Sequence, residues 1–125
     1  MLLNDARFIK KALLKAAKVA KATVIDSAFN LFNPYGVSGF VVIAESHLSI
    51  HTWPELGYAA IDVFTCGNTA LPEKATEYLV HAFECQGFFL YKVNRGIMNK
   101  ETQVTKPYQL EVIQDEFNTP QRLAL

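Results

Sequence analysis

The chain has 125 residues, half of them apolar, and its 12 lysines and arginines balance 12 aspartates and glutamates. This size and composition predict one folded domain over residues 1–125 and exclude a largely disordered chain. A zero formal net charge argues against binding to nucleic-acid phosphates, and no apolar run approaches the roughly 18–20 residues of a membrane span. We therefore expect a cytoplasmic protein with no nucleic-acid or membrane partner, in which Cys66 and Cys85 are free thiols.

The first third of the chain predicts a helix followed by a strand. Residues 5–22 carry apolar side chains at intervals of three and four with lysines between them, which is typical of an amphipathic helix capped by Asn4 or Asp5. Over residues 23–32 the period falls to two, so a half-buried strand follows. We expect its inner face to hold Ile25, Phe29 and Leu31. Residues 33–36, Asn-Pro-Tyr-Gly, then predict a turn.

Three further strands are predicted between residues 39 and 66, where short apolar or alternating runs end at turn residues. They are Gly39–Glu45, Leu48–Trp53 and Tyr58–Cys66. The connections between them are short, whereas a parallel crossover needs about a dozen residues. We therefore expect these strands to pair antiparallel.

A second helix is predicted after the fourth strand, with Asn68 or Thr69 as its cap and Gly87 at its end. Its apolar stripe consists of Ala75, Tyr78, Leu79, Ala82 and Phe83. Residues 88–93 predict a last strand, and in the polar residues 97–125 we identify no element, so we expect a C-terminal arm or tail there. This order of elements predicts an α+β fold of two layers, an antiparallel sheet with helices packed on one face.

Reactive side chains are most concentrated in residues 45–55, with Cys66 eleven residues beyond that segment. A metal site of His47, His51 and Cys66 is disfavoured because residues four apart on a strand are separated by about 13 Å, so we expect no metal. A hydrolase in which a histidine activates Ser46 or Cys66 fits the residue types, but the sequence has no Gly-x-Ser-x-Gly elbow. An ordinary half-exposed strand with polar side chains on its wet face stays open beside these interpretations.

The run from Pro34 to Gly67, PYGVSGFVVIAESHLSIHTWPELGYAAIDVFTCG, closely resembles the prokaryotic S-adenosylmethionine decarboxylase proenzymes, a pyruvoyl-dependent family. The stretch AESHLSIHTWPE is its most specific part. The resemblance implies self-cleavage between Glu45 and Ser46 into residues 1–45, the β chain, and 46–125, the α chain. Ser46 then becomes a covalent pyruvoyl group that forms a Schiff base with the substrate. A homodimer of cleaved protomers is expected to decarboxylate S-adenosylmethionine for spermidine synthesis.

The resemblance also implies roles for individual side chains. His51 matches the base of self-cleavage and Cys66 the proton donor of turnover, while Ser38 is expected to polarise the Glu45 carbonyl. Glu55 is expected to accept hydrogen bonds from the ribose of the substrate. Phe32 is expected to stack on its adenine and is a candidate to enter the partner's site.

Two other functions stay open, a pyruvoyl-dependent decarboxylase of arginine or another basic amino acid and a non-catalytic partner subunit. Family members generally begin with a strand before the first helix, and this sequence begins almost at that helix. A sheet with one strand fewer would leave an edge unpaired.

Overall fold

A computed structural model of the chain describes residues 2–44, 46–66, 70–98 and 104–115. Its elements in chain order are α1 (Ala6–Val19), β1 (Val24–Leu31), β2 (Val37–Ile43), β3 (Ser46–Trp53), β4 (Tyr58–Phe64), α2 (Pro72–Ala82), β5 (Phe89–Met98) and β6 (Val104–Asp115). Strands β1 to β4 form one antiparallel sheet in chain order, and β5 pairs antiparallel with β6 in a second sheet. The predicted α+β fold is confirmed. In these described parts, neither helix has the length and apolar character needed to cross a membrane.

Helix α1 begins where the sequence predicts, because the Asp5 carboxylate accepts a hydrogen bond of 3.0 Å from the backbone N–H of Phe8. The helix buries one stripe against the sheet and α2. This stripe consists of Ile9, Ala12, Leu13, Ala16 and Ala17. Each large side chain removed from water in this way stabilises the fold by about 1.5–3 kcal/mol.

The central strands alternate between a buried inner face and an outer face. On β3, Leu48, Ile50 and Thr52 are buried, whereas His51 and Trp53 are exposed. Gly39 on β2 lies beneath the Phe29 ring of β1, and a Cβ atom at this position would overlap the ring. The inner face therefore requires a glycine at position 39 for β1 to pack onto the sheet.

The prediction for β1 is only partly met. Phe29 is half-buried against the core, but Ile25 and Leu31 are 64% and 55% exposed. Ile25 lies where the pairing register with β2 shifts, between Val24 and Asp26, and Leu31 is the last residue of an edge strand. A bulge and a free edge thus override the simple alternation of the sequence.

Two predictions for the C-terminal third are wrong. Helix α2 begins at Pro72, with Leu71 at its cap and no capping side chain, and it ends at Ala82 rather than at Gly87. Glu84 adopts the left-handed conformation, with φ of 53°, so the turn does not need a glycine. The residues proposed as caps, 68 and 69, lie outside the described residues. Within the stretch 97–125, for which the pattern indicated no element, residues 104–115 form β6.

Candidate active site

The residues that the sequence singles out lie at two opposite ends of the four-stranded sheet. Ser46 begins β3, and Cys66 follows β4 at the same end, which we call the serine end. Four others lie where β3 finishes, at what we call the histidine end. These are Phe32, Ser38, His51 and Glu55. Glu45 lies outside the described residues.

Ser46 is distinguished by a hydroxyl with no partner. Its Oγ is buried, and among the residues the structure describes no other side-chain oxygen or nitrogen is buried without a hydrogen bond. Ser46 pairs with Ile43 across the β2–β3 connection. Because a buried polar group without a partner is costly, this arrangement makes the Ser46 hydroxyl a candidate for chemistry.

Cys66 shares the serine end with Ser46. Phe64 pairs with His47, the residue after Ser46, and Cys66 follows Phe64 by two positions with an exposed side chain. The second cysteine differs, since Cys85 is half-buried beyond α2 and burial raises the pKa of its thiol to about 11. Neither cysteine is in a disulfide, as the sequence predicts.

At the histidine end, Ser38 and His51 are paired on neighbouring strands and form a hydrogen bond of 2.8 Å between Ser38 Oγ and His51 Nδ1. The bond fixes the orientation of the imidazole ring and leaves its Nε2 available. Glu55 is exposed in a 3-10 turn, Pro54–Leu56, that follows β3 directly. Phe32 follows β1 and is 49% exposed.

Thr52 holds the histidine end together. The sequence gives little indication of this role, because it shows only a polar residue at an inward-facing position of a strand. Its buried Oγ1 accepts a hydrogen bond of 2.8 Å from the Val37 N–H. The same hydroxyl donates one of 2.7 Å to the Leu3 carbonyl. Thr52 therefore ties β3 to β2 and to the N-terminal segment beside His51.

The two ends are too far apart to meet within one chain. His51 lies five residues after Ser46 on one continuous strand, which corresponds to about 17 Å at the usual rise per residue. Ser38, expected beside the Glu45–Ser46 bond, lies at the same distant end as His51. In the described part of the chain, no group of histidine, cysteine and acidic side chains is arranged to hold a metal ion.

A groove of about 800 Å³ opens between β4, α2 and β5, and it reaches the serine end. Cys66, Phe64 and Arg95 line it together, and the Arg95 guanidinium lies 4.2 Å from the centre of the Phe64 ring. Arg95 has no signal in the sequence, because nothing in the pattern relates β5 to the end of β4.

Residues 1–96 match the family described as S-adenosylmethionine decarboxylase. The S-adenosylmethionine decarboxylase proenzyme of Thermodesulfovibrio yellowstonii is 52% identical over 102 residues, 82% of this chain and 76% of that protein. The proenzyme of Thermococcus onnurineus is 49% identical over 104 residues, 83% of this chain and 74% of that protein. The crystal structure of the adenosylmethionine decarboxylase from Aquifex aeolicus is similar with a TM-score of 0.62 and 39% identity, over 66% of this chain and 68% of that one. The family match includes both ends of the sheet and stops before β6.

Proposed function

The chain belongs to the S-adenosylmethionine decarboxylase family, and from this premise we propose that it cleaves itself between Glu45 and Ser46 and then decarboxylates S-adenosylmethionine. The observation that carries the proposal is the buried, unpartnered hydroxyl of Ser46.

The relatives are named for S-adenosylmethionine, so they do not favour an arginine decarboxylase. A non-catalytic subunit would have no need for Ser46, His51 and Cys66. The product is expected to serve spermidine synthesis.

Self-cleavage begins at the Ser46 hydroxyl. Its oxygen attacks the Glu45 carbonyl carbon, the amide nitrogen leaves as the amine of Ser46, and an ester joins the two residues. His51 then removes the Cα proton of Ser46, and the Glu45 carboxylate departs. The dehydroalanine left at position 46 takes up water, releases ammonia and becomes a pyruvoyl group. The resulting chains are residues 1–45 and 46–125.

The residues at the serine end fit such a group. The pyruvoyl carbonyl supplies an electron sink for the bond pair released when carbon dioxide leaves, which no ordinary side chain provides. The Ser46 Oγ, which cleavage transfers to Glu45, is buried without a partner, so its departure breaks no hydrogen bond. Cys66, at the same end, holds the proton that returns to the substrate Cα.

The distance between the two ends leads us to propose a homodimer. Since His51 lies about 17 Å from Ser46 within one chain, a second copy would bring its imidazole to the bond that is cleaved. In such a dimer the histidine end of one protomer faces the serine end of its partner. Phe32 and Glu55 then arrive with His51, and the aromatic ring and the carboxylate are placed to take the adenine and the ribose.

Complementation between two inactive variants tests this proposal. Chains carrying Ser46→Ala keep the base, and chains carrying His51→Ala keep the nucleophile. We expect neither to be cleaved alone. When they are co-expressed with different tags and the mixed dimer is purified, the His51→Ala chain should be cleaved, which intact mass measures directly.

The matched control pairs the His51→Ala chain with a Ser46→Ala, His51→Ala double variant, which supplies no base and should give no cleavage. A His51→Ala chain that cleaves alone removes His51 from the processing role. If it stays intact in the mixed dimer, the base does not come from a second copy. An uncleaved wild-type chain that leaves S-adenosylmethionine unchanged overturns the enzyme function itself.

A further inference from the structure

Arg95 brings a positive charge to the serine end. Its side chain extends from β5 over the Phe64 ring, with 4.2 Å between the guanidinium carbon and the ring centre. A cation over an aromatic face is attracted by the ring electrons, so the guanidinium has a preferred position although the residue is exposed. The Phe64 ring therefore positions the Arg95 guanidinium at one end of the groove.

This charge has no carboxylate partner among the side chains that the structure describes, in contrast to the Lys92 ammonium in the same groove. The Lys92 ammonium lies 3.2 Å from a carboxylate oxygen of Glu73. A backbone hydrogen bond and Lys92 lower the pKa of Glu73, so this carboxylate stays charged and paired with Lys92. Arg95 thus retains its donors for a ligand.

The place of Phe64 in the sheet connects Arg95 to the reacting atoms. Phe64 pairs with His47, whose ring meets the Phe64 ring edge-on with 5.6 Å between centres. His47 directly follows Ser46, and Cys66 follows Phe64 by two positions. The Cys66 thiol and the Arg95 guanidinium therefore line the same end of the groove. Position 46 lies at that end of the sheet, because it begins the strand that pairs with β4.

An amino acid that reacts there must orient three groups at once. Its amine has to reach position 46, and its Cα has to face Cys66. Its carboxylate is bonded to the same Cα, so it must also lie at the serine end. A carboxylate taken from water needs compensating donors, and the planar guanidinium fork matches its two oxygens.

Resting on the proposed function, we propose that Arg95 binds the α-carboxylate of the substrate. The interaction orients the bond that breaks and is lost as carbon dioxide forms, so it contributes more to binding than to the chemical step. Replacing Arg95 is expected to raise KM for S-adenosylmethionine about 10- to 100-fold while kcat changes far less. Self-cleavage, which involves no substrate, should proceed at the wild-type rate.

A binding measurement isolates the carboxylate. The mature enzyme is first reduced with borohydride, which converts the keto group at position 46 to an alcohol and stops turnover. Calorimetry then compares S-adenosylmethionine with its methyl ester for wild type, Arg95→Gln, Arg95→Lys and Lys92→Gln. Wild type should prefer the free carboxylate, and Arg95→Gln should lose this preference by about 10- to 100-fold.

Two variants separate this role from general charge and from folding. Lys92→Gln removes a cation from the same groove and should keep the preference. Arg95→Lys keeps the charge without the fork and should retain part of it. Equal loss of affinity for both ligands in Arg95→Gln, or an equal effect of Lys92→Gln, overturns the assignment. Failure of the proposed function is distinct, because wild type would then neither cleave itself nor bind S-adenosylmethionine.

Discussion

The two ends of the sheet are built in opposite ways. At the histidine end, side chains are held by hydrogen bonds, including one between Ser38 and His51 and one from the Val37 N–H to Thr52. At the serine end, the Ser46 hydroxyl is buried without a partner, and Cys66 is exposed beside an open groove. The end proposed to supply an oriented base is fixed by hydrogen bonds, whereas the end proposed to change covalently has a buried hydroxyl without a partner.

This difference has a physical reason. A base has to keep one ring orientation, and a hydrogen bond from a neighbouring strand provides it. A hydroxyl oxygen that accepts a strong hydrogen bond is a weaker nucleophile, so the unpartnered Ser46 Oγ keeps its lone pairs free for attack. A cost in stability at position 46 is therefore consistent with its chemistry.

The largest expected effect separates Ser46 from an ordinary serine of the same strand. Ser46→Ala removes the attacking oxygen and should abolish both cleavage and decarboxylation, leaving one chain of 125 residues by intact mass. Ser49→Ala on β3 is the matched control and should cleave completely, because Ser49 lies opposite Phe40 in the middle of the sheet. Cleavage of the Ser46→Ala chain at the same bond would contradict the role of its hydroxyl.

A smaller effect distinguishes the two thiols. Cys66→Ala should still mature, because the attack by Ser46 needs no thiol, but kcat should fall by about 10²- to 10⁴-fold, the usual contribution of a general acid. Cys85→Ala should turn over normally, since Cys85 lies beyond α2 and burial keeps its pKa near 11.

Without a donor fixed beside the substrate Cα, protons reach the wrong carbon and the substrate nitrogen stays on residue 46. The Cys66→Ala enzyme should therefore lose activity during turnover, and intact mass should detect alanine at position 46. Normal turnover with an unaltered residue 46 would instead remove Cys66 from the donor role.

Most of the fold could be predicted because its signals are local. The period of α1, its cap at Asp5 and the turn-bounded runs of β2 to β4 each appear within a few residues. The exceptions depend on tertiary context. Strand β6 contains Pro107 and several charged residues, and it forms by pairing with β5. The end of α2 uses a left-handed glutamate where the pattern favours glycine.

The candidate residues of the site come from the resemblance, whereas their geometry comes only from the structure. A resemblance identifies Ser46, His51 and Cys66 without saying that β3 separates the first two by about 17 Å. Two long-range contacts also leave no trace in the local pattern, the stacking of Arg95 on Phe64 and the bond from Thr52 to Leu3.

The smallest expected effect tests whether the histidine end is held as rigidly as its hydrogen bonds indicate. Thr52→Val keeps the shape of the side chain but leaves the buried Val37 N–H and the Leu3 carbonyl without the hydroxyl, at a cost of about 1–3 kcal/mol in the free energy of unfolding. Thr76→Val is the matched control, because the Thr76 hydroxyl donates a hydrogen bond to the Glu73 carbonyl at an exposed position of α2. This substitution should lower the free energy of unfolding by less than about 0.5 kcal/mol. Urea unfolding of both variants in the uncleaved Ser46→Ala background, at one protein concentration, measures the difference.

Since Thr52 is adjacent to His51, Thr52→Val should also slow self-cleavage when Ser46 is present, whereas Thr76→Val should not. Equal stability of the two variants would show that the bonds of Thr52 do not hold this end of the sheet.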